Sequence, residues 1–143
     1  MTLSDSEIRE ALAGESLVIA PLDEASLNPA GYDLRLSAEV TLAPSEHRLV
    51  ATMERVELGP DLVGILHIRS SLAREGILAS LALVDPGFRG QLTISLFNSG
   101  RKMTQLKAGE RFVQLTLLRL GREAAGKYEG RYQDSLGVVS SRR

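Results

Sequence analysis

A compact group of hydrogen-bond donors opens the stretch from residue 69 to residue 100. Arg69, Ser70, Ser71 and Arg74 surround a Leu-Ala pair, and this spacing predicts a short helical turn whose N-terminal amides point outward. Amides at such an end attract phosphate oxygens, because they carry unpaired donors and a partial positive charge. The cluster therefore predicts a site for phosphate groups.

Asp85 is the residue best suited to proton transfer. It follows an apolar segment, in the sequence Asp-Pro-Gly, whose three residue types each favour turns. We expect a sharp bend that leaves one carboxylate above a strand, where it acts as a base. Hydrolysis of a triphosphate needs donors that neutralise charge and a base for the attacking water. Arg69, Ser70, Ser71 and Gln114 are candidate donors, and Asp85 is the candidate base.

Composition limits the class of protein. A chain of 143 residues with 43% hydrophobic residues predicts one domain, residues 1–143, with a proper core. The net charge of −1 argues against a broad nucleic-acid or membrane surface, so we expect a small ligand. The chain has no cysteine and no tight Asp/Glu cage, so we expect no protein metal site. Without a signal peptide or an apolar run of roughly 20 residues, it is expected in the cytoplasm.

Hydrophobic periodicity predicts mostly strands. Ser4 and Glu7 fit a capping box at the start of one helix, and Gly14 fits its end. Strand-like segments lie between turn residues at 32–36, 40–42, 48–52, 56–58 and 62–68, and apolar residues alternate at 92–97 and 112–117. Residues 121–130 resemble a linker. The pattern predicts an all-β barrel or jelly roll with one short N-terminal helix.

Most of the chain resembles the family that joins dUTP pyrophosphatases (dUTPases) to dCTP deaminases. LNPAGYDLRL near the start and GKYEGRYQDSLGVVSSR near the end look deaminase-like. The residue count from Gly76 to Asp85, with GQLTISLFNSG and KAGERFVQL, looks pyrophosphatase-like. The resemblance implies a distorted jelly roll of the dUTPase β-clip type, assembled as a homotrimer. A magnesium ion would be held through the phosphates of the substrate.

The resemblance also assigns roles to single residues. Asp85 would activate the water that attacks the α-phosphorus, and Phe88 would pack under the deoxyribose. Ser70 and Gln114 would contact phosphates. Arg131 in the tail would lie against the phosphates as well.

Two further segments complete the site that the resemblance implies. The hairpin from Ala79 to Val84, with Leu81 and Leu83, would read the base chiefly through backbone groups. The tail, residues 121–143, would close on the site and bring Tyr128 to the phosphates.

Ser95 decides between the two activities at this stage. It stands ten residues after Asp85, beside the base, where deaminases carry a Glu that shuttles protons. An unactivated hydroxyl is a poor proton carrier near neutral pH. The sequence therefore favours a dUTP diphosphatase that yields dUMP and pyrophosphate. His47 and His67 are far apart in sequence, and we expect them at surface or core positions.

Two alternatives stay open. One is a dCTP deaminase, or a bifunctional enzyme, that uses a substitute for the missing Glu. The other is a nucleotide-binding homologue without turnover.

Overall fold

Antiparallel strands are the main secondary structure of the computed structural model, which describes all 143 residues. The elements in chain order are α1 (Asp5–Ala13), β1 (Leu17–Ala20), a 3-10 turn (Glu24–Ser26), β2 (Leu27–Asn28), β3 (Gly31–Arg35), β4 (Val40–Leu42), β5 (His47–Leu58), β6 (Leu62–Ile68), α2 (Ser70–Arg74), β7 (Ile77–Ser80), β8 (Arg89–Asn98), β9 (Thr104–Leu106) and β10 (Arg111–Arg119). The prediction of an all-β fold with a short N-terminal helix is confirmed. The predicted helical turn after Arg69 is the short helix α2.

The strands form two four-stranded sheets and one small two-stranded sheet. Sheet 1 has the order β1-β5-β8-β7, sheet 2 has the order β2-β3-β10-β6, and β4 pairs with β9. A cluster of 26 buried apolar residues draws on α1 and on strands of both large sheets. Tyr32 of β3 and Phe112 of β10 are its largest fully buried side chains. The two sheets therefore share one core.

Helix α1 begins and ends where its capping residues predict. The Ser4 side chain accepts from the Glu7 backbone N–H, and the Glu7 carboxylate accepts from the Ser4 backbone N–H at 2.8 Å. The Glu7 carboxylate also accepts from the Ser4 hydroxyl at 2.9 Å, and the backbone hydrogen bond first, then this one, lower the pKa of Glu7. Gly14 follows the last turn, and Ile8 and Ala11 are buried. No helix in the structure is long and apolar enough to span a membrane.

Strand β5 corrects one sequence prediction. Residues 48–52 and 56–58 were expected as two strands, but both belong to one strand, His47–Leu58. Its pairing with β8 shifts register between Ala51 and Arg55, which marks a β-bulge. A bulge adds residues to one strand, here two, and bends it without ending its ladder. The polar residues of the bulge therefore resemble a turn in sequence although the strand continues.

A buried carboxylate lies at this bulge. Glu54 has no solvent exposure. It accepts from Nε of Arg35 at 2.7 Å and from the backbone N–H of Arg35 at 2.9 Å. The hydrogen bond to Glu54 raises the pKa of Arg35 above its ordinary value. Because Arg35 ends β3, this ion pair joins the bulge of sheet 1 to sheet 2.

We predict that Glu54→Ala strongly destabilises the fold. Removing one partner of a buried ion pair leaves the other charge without compensation, at a cost of about 3–5 kcal/mol. Urea denaturation of both proteins measures the difference. Glu57→Ala is the control, because Glu57 pairs with Arg55 at a half-exposed position and such pairs contribute about 0–1 kcal/mol. Equal losses in the two variants would contradict the role of Glu54.

Candidate functional site

The Asp-Pro-Gly segment forms the predicted turn. The backbone N–H of Phe88 donates to the carbonyl of Asp85 at 3.1 Å, and Gly87 has a φ of +80°. Proline followed by a residue with positive φ is typical of a type II turn, which favours glycine at that position. The turn leaves the Asp85 side chain exposed and turns Phe88 into the protein.

A cavity of about 490 Å³ lies beside this turn. Five of the predicted site residues line it: Leu83, Val84, Asp85, Phe88 and Tyr128. Its walls are mostly apolar, and its volume falls in the range of small-molecule sites. The rings of Phe88 and Tyr128 meet edge to face with centroids 5.4 Å apart. The structure therefore brings together at one cavity the predicted catalytic base Asp85, the aromatic ring Phe88 that is predicted to pack under the deoxyribose, and part of the tail.

The C-terminal tail crosses this cavity along β8. Ser135 forms a parallel bridge with Gly90, and its carbonyl accepts from the Gln91 backbone N–H at 2.9 Å. Gly90 has a φ of +146°, and a Cβ there would lie 2.8 Å from the Ser135 nitrogen. Only glycine therefore allows this close approach of the tail. The Gln91 side chain then accepts from Gly137 at 2.6 Å.

An ion pair fastens the tail to the start of β8. The Arg89 guanidinium donates to both carboxylate oxygens of Asp134, at 2.6 and 3.0 Å. This side-chain hydrogen bonding lowers the pKa of Asp134 and raises that of Arg89. Both groups are exposed, so the ion pair fixes the position of the tail but contributes little to the stability of the fold.

The predicted phosphate donors lie elsewhere on the chain. Nε of Arg69 lies 3.2 Å from the Asp33 carboxylate, which is 8% exposed. Asp33 pairs in register with Gln114, so Arg69 and Gln114 come together on sheet 2. Ser70, Ser71 and Arg74 of α2 follow, and all three are exposed. None of these five predicted donors lines the cavity of its own chain.

Four further predicted residues also lie outside the cavity lining. Ser95 of β8 is half-buried and is not among the lining residues. Ala79 and Leu81 of the base hairpin are half-buried and pack against the core. Arg131 donates to the carbonyl of Arg142, and Arg142 donates back to the Arg131 carbonyl at 2.7 Å. The guanidinium of Arg131 is thus bound to the end of the tail, and its contact with phosphates stays a prediction.

Sequence reasoning missed several residues of the cavity. His47, Gln91, Thr93 and Tyr132 also line it. His47 is exposed, so it lies at the surface as expected, but its Nε2 lies 2.7 Å from the Ser95 hydroxyl. The two residues are 48 apart in sequence, and the pairing of β5 with β8 brings them together. No local sequence pattern carries that information.

The structure gathers no three His, Cys, Asp or Glu side chains into a metal-binding group. Asp85 is the one carboxylate among the residues that line the cavity. A single exposed carboxylate fits a magnesium ion that takes most of its ligands from substrate phosphates and water.

Comparison with known proteins identifies relatives along the whole chain. The pattern of the family described as dCTP deaminase-like matches residues 37–120. The dCTP deaminases of Thermococcus kodakarensis and Pyrococcus horikoshii are 42% and 44% identical over all of this chain and 99% and 98% of their own. A probable deoxyuridine 5′-triphosphate nucleotidohydrolase of Sulfolobus islandicus rod-shaped virus 1 is 35% identical, over 97% of each chain.

Solved structures share the fold. The dCTP deaminase of Agrobacterium tumefaciens superposes on 84% of this chain with a TM-score of 0.73 and 21% identity, and this match spans 49% of that longer chain. The dUTPase of EIAV superposes on 80% of this chain and 98% of its own, with a TM-score of 0.60 and 21% identity. A phage phi11 dUTPase, which coordinates a structural Mg(II) ion, superposes on 81% of this chain and 98% of its own, with a TM-score of 0.61 and 19% identity. The dUTPase-like fold predicted from the sequence is confirmed.

We predict that Asp134→Asn loosens the tail. The variant loses the charge that Arg89 holds, so tail amides such as those of Gly137 and Val139 should exchange hydrogen several-fold faster. Mass spectrometry of peptides from residues 126–143 measures this rate. Glu24→Gln, which removes the distant exposed pair with Arg9, is the control.

The same ion pair sets a pH dependence. Because the pKa of Asp134 is lowered in the folded protein, its contribution is complete above the ordinary Asp pKa of about 3.9 and is lost as the pH falls through the lowered value. Tail protection in the wild type should be unchanged between pH 8 and about pH 5. Loss of protection within that window would contradict the assignment.

Proposed function

Because the chain belongs to the dCTP deaminase-like family, we propose that it is an enzyme that converts dCTP and water to dUTP and ammonia. The observation that carries this proposal is the 42–44% identity to dCTP deaminases over the whole chain. It replaces dUTP hydrolysis, which the sequence alone favoured, as the first candidate.

The cavity suits the nucleoside part of such a substrate. Its walls are apolar around a few polar groups, as expected for a site that holds a base and a sugar. Phe88 lies beneath the turn, where its ring offers a packing surface to the deoxyribose. Ser95 pairs in register with Ser80 at the end of β7, within the hairpin proposed to read the base. The reacting ring would therefore lie near Ser95.

The phosphates would be bound by a neighbouring copy of the chain. Arg69, Ser70, Ser71, Arg74 and Gln114 form a donor cluster that lies outside the cavity. In a homotrimer, each copy can present this cluster to the cavity of the next, because head-to-tail contacts close into a ring. A magnesium ion bound through the phosphates would neutralise part of their charge.

A second candidate function is the hydrolysis of dUTP to dUMP and pyrophosphate. Two observations favour it: Asp85 is the one carboxylate that lines the cavity, and Ser95 stands in place of the deaminase Glu. In this reaction Asp85 would take the proton of the water that attacks the α-phosphorus. The name of the viral relative, at 35% identity, is consistent with it.

The two reactions give different products. With dCTP and magnesium, the proposed function predicts equal amounts of ammonia and dUTP, measured by an ammonia assay and by ion-exchange separation. If dUTP yields pyrophosphate while dCTP yields no ammonia, the second candidate replaces the first. Asp85→Asn should then abolish pyrophosphate release. If both nucleotides are recovered unchanged, the chain is a binding homologue and neither reaction is correct.

A site built from the cavity of one copy and the donor cluster of the next makes a separate prediction. In dUTP hydrolysis, Arg74→Ala and Asp85→Asn should each be nearly inactive alone, because one lacks a phosphate donor and the other the cavity carboxylate. Refolding them together should restore partial activity, since some mixed trimers combine an intact cavity with an intact donor cluster. Each variant refolded alone is the control, and light scattering gives the mass of the assembly. No recovery in a mixture shown to be trimeric would contradict a site built from two copies.

A further inference from the structure

An imidazole occupies the place next to Ser95. Nε2 of His47 lies 2.7 Å from the Ser95 hydroxyl, and His47 lines the same cavity as Asp85 and Phe88. This distance is a good hydrogen bond between a hydroxyl and a ring nitrogen. The serine is therefore not the unactivated hydroxyl that its sequence position alone suggests.

The strand register explains the pair and its orientation. Ser95 pairs with Leu49 of β5 on one side and with Ser80 of β7 on the other. Residues opposite one another in antiparallel strands share a face, and residues two apart on one strand do so as well. His47 therefore lies on the same face of sheet 1 as Ser95, Ser80 and the lining residue Thr93. His47 lines the cavity, and Ser95 lies opposite Ser80 of the hairpin proposed to read the base.

We propose that His47, held in place by Ser95, performs the proton transfer of dCTP deamination. This inference rests on the proposed function. Imidazole gains and loses a proton near neutral pH, which a general acid and base requires. The hydroxyl hydrogen-bonds the imidazole and holds it at the edge of the cavity, beside the base. His47 is then a catalytic residue of this chain, and Ser95 is the residue that positions it.

The proton balance needs only one such carrier. Water loses a proton to the imidazole of His47 while its oxygen bonds to C4 of the cytosine ring. The imidazolium then gives that proton to the exocyclic amine, the C4–N4 bond breaks, and ammonia leaves. The second proton of the water moves from the new C4 oxygen to N3. The product is uracil with its C4 carbonyl, and the imidazole is neutral again.

The charged residues next to His47 in the chain pair with each other and not with its imidazole. Its chain neighbours Glu46 and Arg48 pair with each other at 2.6 Å. Across the cavity, the Tyr132 hydroxyl accepts from the Arg142 backbone N–H at 3.1 Å, and this hydrogen bond lowers the pKa of Tyr132. Asp85 and Tyr128 are the other titratable residues that line the cavity, and both lie at the turn and tail around Phe88. His47 is the one imidazole in this lining.

The test combines three substitutions with ammonia release from dCTP. His47→Gln keeps a hydrogen-bonding group but does not titrate, so we expect kcat to fall about 100-fold or more while KM changes less than threefold. Ser95→Ala should lower kcat less, about tenfold, because the imidazole remains. Arg48→Ala, on the opposite face of β5 at an exposed position, is the control and should keep wild-type kinetics.

Two readouts separate chemistry from a structural role. The acidic limb of the kcat profile, where the imidazole is protonated, should be present in the wild type and absent in His47→Gln. His47→Ala opens space at an exposed edge of the cavity, so free imidazole in the buffer should restore a concentration-dependent part of its activity.

The outcomes are distinct. A wild-type protein that releases no ammonia overturns the proposed function, and this inference with it. A wild type that releases ammonia, with His47→Gln equally active or His47→Ala not restored by imidazole, overturns this inference alone. The inference is supported if His47→Gln loses both its activity and the acidic limb of the profile, and if free imidazole restores activity to His47→Ala.

Discussion

The pairing of β5 with β8 is the constraint on which the rest of the candidate site depends. These are the two longest strands, with twelve and ten residues, and they form the centre of sheet 1. One face of this pair is the floor of the cavity, and β8 is also the strand along which the tail runs. The turn with Asp85 leads directly into β8. The cavity, the Asp85 carboxylate and the tail that crosses the cavity are therefore all positioned by one ladder of backbone hydrogen bonds.

The bulge in β5 connects this ladder to the other sheet and to the tail. The Thr52 hydroxyl accepts from the Leu92 backbone N–H at 3.0 Å, and the Gln91 amide donates to the Thr52 carbonyl at 3.0 Å. On its far side, Glu54 holds Arg35 of sheet 2. The oxygen of the same Gln91 amide accepts from Gly137 of the tail. The Gln91 amide thus joins the bulge to the tail. The contact between the two sheets is therefore connected physically to the tail that crosses the cavity.

The choice between deamination and hydrolysis depends on where a proton carrier lies. A missing Glu is strong grounds against deamination only if the hydroxyl in its place has no titratable partner. In the structure the Ser95 hydroxyl contacts His47, and the relatives that are 42% and 44% identical over the whole chain are dCTP deaminases. Asp85 lies near the predicted sugar platform, which suits the hydrolytic reaction instead. Both side chains line the same cavity, and we propose the imidazole of His47 as the base for deamination and the carboxylate of Asp85 as the base for hydrolysis.

The sequence by itself determined the elements whose causes are local. The capping box fixes the start of α1, alternation marks β8 and β10, and the Asp-Pro-Gly turn follows from the steric preferences of its residues. The motifs also indicated the superfamily and the fold. The β5 bulge was not predicted, because its polar residues are stabilised by partners on other strands.

Only the tertiary structure decided which residues share the cavity. His47 and Ser95 meet through strand register, and Gln91, Thr93 and Tyr132 reach the cavity because the tail runs along β8. Asp33 contacts Arg69 and lies opposite Gln114, so the structure brings these two predicted donors together, and their phosphate role stays a prediction. Their separation from Asp85 within one chain was not visible in the sequence. Local propensities act over a few residues, whereas these contacts join positions tens of residues apart, and only the packing of the folded chain sets them.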